Sequence, residues 1–176
     1  AQNKFCVRRF PAPELLPFVC KTVMPTSVRR MSEIDVIRNL VHCYCDAVCN
    51  DDRDALKELW AEDAIWNVGR GPVVGKTAIG KAVDTAMDLF ESVNQMTFNG
   101  TADLKEDSGV GRWYMCEFAK ARSGKPLFYL GYYDDIYVKE SAGWLFKSRQ
   151  LTWLYQGPPN LSGVFGPPEG YEEFRN

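Results

Sequence analysis

The chain has almost no histidine. His42 is the only one in 176 residues, so a metal site built from several imidazoles is excluded. Paired Cys-x-x-Cys spacing is missing as well: Cys43, Cys45 and Cys49 fall within a helical pattern and Cys116 lies far off. Neighbours two apart on a helix diverge, so Cys43 and Cys45 make a poor disulfide, and reduced thiols in a cytoplasmic protein are expected, with no metal. Nor does one charge dominate, since 21 Lys and Arg stand against 23 Asp and Glu. Basic residues scattered in this way leave no footprint for nucleic acid or an anionic membrane surface. No apolar run approaches the roughly 18 residues of a membrane span. Residues 1–10 lack the apolar centre of a signal peptide, and none is expected. Neither nucleic acid nor membrane is expected as a partner.

What is present is enough apolar residue, 45%, to build the core of one domain. Residues 1–31 read as an extension outside that domain or as an arm that packs on a neighbour. Pro11, Pro13, Pro17 and Pro25 interrupt any helix there, while Phe5, Phe10, Leu15, Leu16 and Phe18 are apolar. Ser32 and Glu33 then supply an N-cap and a first-turn acid. Ile34, Ile37, Leu40, Val41, Tyr44, Ala47 and Val48 fall on one helical face. Asp54 to Trp60 forms a short second helix, Ala64 to Val68 a strand, and Gly75 to about Phe90 a third helix with Thr77 as cap. Four strands follow, over 96–104, 110–121, 127–139 and 144–155. Helices followed by hairpin-linked strands define an α+β domain over 32–156, and 157–176 reads as an irregular tail.

The densest chemistry lies between Gly131 and Arg149. Gly131-Tyr132-Tyr133-Asp134-Asp135-Ile136-Tyr137 is a strand of aromatic residues with two carboxylates at its centre. Successive side chains point to opposite faces, so one of Asp134 and Asp135 faces inward, where it needs a partner. Tyr44 and Arg149 are the candidates. His42 falls on the polar face of the first helix with Asp35, Arg38 and Asp46, where an i,i+4 pair with Asp46 is the ordinary reading.

Certain stretches carry a family likeness. They are Tyr44 with Asp52-Arg53-Asp54-Ala55-Leu56, then Trp60 to Trp66, Gly75-Lys76-Thr77-Ala78-Ile79, Asn99-Gly100, Gly131 to Asp135, and Gly143-Trp144 with Arg149. Over residues 32 to about 155 the chain resembles the cone-shaped α+β barrels of the nuclear transport factor 2-like superfamily. Within them it looks most like the SnoaL-like polyketide cyclases, relatives of scytalone dehydratase, ketosteroid isomerase and limonene epoxide hydrolase. The resemblance implies three helices packed in a strongly curved, mostly antiparallel sheet around a small-molecule pocket. It implies that Tyr44 and Asp135 stand where ketosteroid isomerase-like members hold an enolate oxygen. That enzyme's proton-abstracting carboxylate has no counterpart, its place falling at Asn67 or Val68. Gln95 replaces the histidine of scytalone dehydratase, and Val48-Cys49 its Tyr-Asp pair. Arg112-Trp113-Tyr114 stands where limonene epoxide hydrolase has Arg-x-Asp.

Two readings of function stay open at this point. One is a cofactor-independent isomerase, dehydratase or cyclase for a small, mostly apolar carbonyl or hydroxyl compound. It would use Tyr44 and Asp135 as catalytic groups, with Trp66, Gln95, Arg112, Tyr114, Tyr133, Arg149 and Trp153 around the substrate. The other is a binding or interaction domain that keeps the cone without the chemistry; an epoxide hydrolase-like enzyme is a further alternative. Apolar residues at both parities of the last two long strands, Tyr132 with Tyr133 and Leu145 with Phe146, point to a homodimer through the outer sheet face.

Overall fold

A computed structural model describes residues 32–166 of the chain. The expectations for residues 1–31 and for 167–176 lie outside those residues. Helix α1 spans Glu33–Cys49, and the Ser32 hydroxyl oxygen accepts from the Asp35 N–H at 3.3 Å, as an N-cap does. It buries Ile37, Leu40, Val41, Tyr44, Ala47 and Val48 along one face. His42 is on the exposed side, where Asp46 accepts from Asn50. The Asp52 carboxylate caps the short α2, Arg53–Glu58, by accepting from the Ala55 N–H at 2.9 Å.

Strand β1 (Trp60–Asn67) turns into the two-residue β2 (Val73–Val74), and α3 follows over Lys76–Met87. The cap of α3 is Gly75, not Thr77. Gly75 donates its N–H to the Ala64 carbonyl at 2.7 Å and gives its own carbonyl to Ile79. Its φ of 92° suits glycine, so the backbone starts the helix before Thr77 is reached. The far end is also earlier than expected, because Phe90 already pairs with Ala121 in the sheet.

Strands β3 (Phe90–Leu104), β4 (Ser108–Ala121), β5 (Pro126–Glu140) and β6 (Gly143–Gly157) form the bulk of the sheet, and β7 (Val164–Phe165) adds briefly to β6. The order is β2-β1-β6-β5-β4-β3. All pairings are antiparallel except β1 with β6, which run parallel. The register shifts between Thr97 and Gly100, between Leu130 and Gly131, and between Ile136 and Tyr137. Such irregularities bend strands, and the sheet curves around the helices. At Gly100 a Cβ would meet the Trp113 ring at 2.3 Å, so the absent side chain lets the indole lie under β3. The core fills the concave side, with Trp60, Trp113, Tyr133, Tyr137, Phe146 and Ile79 almost completely buried. Among the described residues no helix is long and apolar enough to cross a membrane.

Candidate active site

The concave face of the sheet, α1 and α3 enclose a cavity of about 590 Å³, a size suited to a small organic molecule. Strand alternation decides what faces it. On β4, Trp113, Met115, Glu117 and Ala119 share the inward parity, and on β5, Tyr129, Gly131, Tyr133 and Asp135 do. Gln95 of β3 pairs across the strands with Glu117, which pairs with Tyr129. A row of polar groups therefore crosses an otherwise apolar wall.

Gln95, 5% exposed, holds that row. Its Nε2 donates to the Glu117 carboxylate at 2.8 Å and to the Tyr133 hydroxyl oxygen at 3.1 Å. Its Oε1 accepts from the Cys45 thiol at 3.5 Å, and its backbone N–H donates to Cys49 Sγ at 3.2 Å. Tyr133 accepts from Gln95, so its own O–H proton stays available to a ligand. Glu117 is part-buried, and its second oxygen, Oε1, accepts no hydrogen bond from the described residues. Burial pushes its carboxyl above the ordinary range, against the pull of the Gln95 hydrogen bond. Burial also raises Tyr44 to about 12, with the Arg149 charge opposing it, and lifts Tyr133 well above its usual value. Both phenols stay protonated at neutral pH and can donate. The Trp66 indole N–H is among the groups that counter the rise at Tyr44, although it falls short of hydrogen-bond geometry.

Asp135 does not share this cavity with Tyr44, and here the structure corrects the expectation. Asp134 and Asp135 do point to opposite faces, and Asp135 is the inward one, 2% exposed. It is closed off by the group directly across the strands. Arg149 donates Nε to Oδ1 and Nη2 to Oδ2 of Asp135, each at 2.8 Å. Tyr137 adds a hydrogen bond to Oδ2 at 2.8 Å, and Trp113 Nε1 donates to the Tyr137 oxygen at the same distance. Burial works most strongly, against the charged guanidinium, but the Asp135 charge, its hydrogen bonds and the Tyr44 and Tyr133 phenols together outweigh it, so Arg149 is held above its ordinary pKa. The guanidinium carbon sits 4.3 Å from the Tyr44 ring centroid, 4.2 Å from Tyr133 and 4.1 Å from Phe146. This buried cation is the floor on which the two tyrosines rest.

Of the other sequence-derived candidates, Trp66, Gln95, Tyr133 and Trp153 line the cavity with Tyr44. Arg149 lies beneath it. Arg112 and Tyr114 are on the outer face, because they have the opposite parity to Trp113. Arg112 pairs with Asp134 at 2.7 and 2.9 Å and stacks on Tyr132, and Tyr114 packs against Tyr132 too. Glu117 is the cavity residue that sequence reasoning missed. The signal was a carboxylate in the inward parity of Trp113 and Met115. Among the described residues no three His, Cys, Asp or Glu side chains converge on a metal-sized point.

The class of fold follows from this geometry: a cone-shaped α+β fold like that of nuclear transport factor 2-like proteins, its curved sheet wrapped around a cavity. A nuclear transport factor 2-like protein of Salmonella enterica superimposes with a TM-score of 0.66 at 18% identity, covering 79% of this chain and 97% of that one. The dehydrochlorinase LinA-type3 of Novosphingobium barchaimii gives 0.66 at 18% identity, over 77% and 94% of the two chains. A Novosphingobium aromaticivorans protein provisionally assigned as a scytalone dehydratase gives 0.69 at 19%, over 78% and 93%. At such identities the likeness establishes the fold alone. The sequence finds no match among curated proteins. The SnoaL-like domain pattern matches residues 29–150, and the chain belongs to that family.

Proposed function

We propose that the chain is a cofactor-independent enzyme of the lyase or isomerase type, acting on a small, mostly apolar carbonyl or hydroxyl compound. One observation carries the reading: the Glu117 carboxylate stands in the cavity with an unoccupied oxygen, oriented by Gln95, beside a phenol free to donate. Glu117 takes a proton from the carbon next to the carbonyl. The electron pair of that C–H bond moves to the carbonyl oxygen, and the Tyr44 and Tyr133 hydroxyls stabilise the enolate. Glu117 then returns the proton to another carbon, which is isomerisation, or to a departing hydroxyl, which leaves as water. Asp135 takes no proton in this scheme. It positions Arg149, and Arg149 positions the tyrosines.

The test is solvent-deuterium uptake into a panel of cyclic ketones, read by mass spectrometry, beside calorimetric binding of 2-naphthol as an enolate mimic. The native protein is expected to exchange at least one ketone and to bind the phenol. Tyr44→Phe should weaken phenol binding roughly threefold to tenfold, the worth of one hydrogen bond. Binding without exchange of any ketone would leave a non-catalytic binding protein.

The assembly we propose is a homodimer through the outer sheet face. Phe98, Val110, Ile136, Phe118 and Met96 are each more than 40% exposed there, and apolar surface on that scale calls for cover. Sedimentation at micromolar concentration should give twice the 20.0 kDa chain mass; a monomer would refute the dimer.

A further inference from the structure

Building on the cavity described above, we infer that its ligand carries an anionic group, a carboxylate, which Arg70 receives at the lip. Arg70 belongs to the turn between β1 and β2, is exposed, and contributes to the cavity lining. The flanking Gly69 and Gly71 have φ of 90° and 96°, a backbone that glycine adopts without strain. A Cβ on Gly69 would meet Trp153 Nε1 at 3.0 Å, so the turn lies directly against the aromatic wall. Trp153 in turn packs on Tyr129 with ring centroids 4.8 Å apart.

Among the described residues Arg70 is the arginine with neither an ion pair nor a hydrogen bond. Arg38, Arg53, Arg112 and Arg149 each hold a carboxylate, and Arg122 donates to the Asp88 carbonyl. The other charged residue lining the cavity is Glu117, and the two form no salt bridge. The lip therefore presents a cation with its donors unused, in a lining that also holds Gln156 and the Tyr129 and Trp153 rings. A ligand anion is repelled by Glu117 and attracted by Arg70, so the two charges orient it. Its apolar body fills the cavity, its carboxylate rests on Arg70, and its reacting end faces Tyr44 and Tyr133.

A matched pair of probes tests this by calorimetry at low salt: 2-naphthylacetate and its neutral isostere 2-naphthylacetamide. The native chain is expected to bind the carboxylate about fivefold more tightly, the scale of a solvent-exposed ion pair. Arg70→Gln should bring the two within twofold of each other by weakening the carboxylate alone. Arg70→Lys should keep most of the preference, and Glu117→Gln should keep it or widen it. Equal affinities in the native chain would overturn the inference, as would a preference that survives Arg70→Gln. If the amide binds normally and no preference exists, only this inference falls. If neither compound binds, the cavity reading falls with it.

Discussion

Asp135→Asn is expected to cost the folded protein about 3–5 kcal/mol, the scale of a buried ion pair broken from one side. Both side chains of the Asp135–Arg149 pair are 0% exposed. Asparagine keeps the shape and removes the charge, which leaves the guanidinium uncompensated in a dry interior. One of its nitrogens, Nη1, already lacks a hydrogen-bond partner, so no spare contact absorbs the loss. Tyr137 would also exchange a charged acceptor for a neutral one. Urea denaturation should register the change as a lower midpoint at unchanged slope, and the thermal midpoint should fall by roughly 6–20 °C. Replacing both partners, as Asp135→Leu with Arg149→Met, should cost less than Asp135→Asn alone, because no charge is left behind. A single variant within about 1 kcal/mol of the native protein would show that the pair does not hold this part of the core together.

Glu117→Gln should move activity and stability in opposite directions. As the proposed base, the carboxylate is worth about 10²–10⁴ in rate, and glutamine cannot take a proton. The variant can still accept the Gln95 hydrogen bond through its amide oxygen, so the loss is not one of structure. Folding raises the Glu117 pKa above its ordinary 4.5, chiefly through burial. A group raised in this way favours folding while protonated, and that contribution disappears as the pH climbs through the raised value. Native and variant proteins should therefore have similar thermal midpoints at acid pH and diverge at neutral pH, with Glu117→Gln the more stable. The native rate should fall on the acid side with an apparent pKa above that of an ordinary glutamate. Full activity in the variant, or an acid limb at the ordinary carboxylate value, would remove Glu117 from the mechanism.

Periodicity explains why so much of the fold was legible. The apolar positions of α1 repeat at helical spacing and end up on one buried face, and the Ser32 cap is a local hydrogen bond. The long strands announce themselves by aromatic and β-branched residues, and Asp134 and Asp135 must point apart in any strand. Local rules also account for the misplacements. Thr77 is a better capping side chain than Gly75 in isolation, but the hydrogen bond from Gly75 to Ala64 belongs to the sheet. The third helix could continue past Met87 on its own preferences, and β4 claims Phe90 instead.

The candidate site was only half legible, and the dividing line is register. Sequence alone determined the order of helices and long strands though not their ends, that Tyr44 is buried, and that one of two adjacent carboxylates turns inward, because each follows from spacing within one element. Which residue stands across the strands from which is not a property of any one element. Gln95 meets Glu117, and Asp135 meets Arg149, only after strands bent by their irregularities have paired. That pairing gave Asp135 a guanidinium and left Glu117 with an open oxygen. Charge and hydrogen-bond compensation act over a few ångströms between elements distant in sequence, so tertiary structure alone decided which carboxylate was neutralised and which remained open to a ligand.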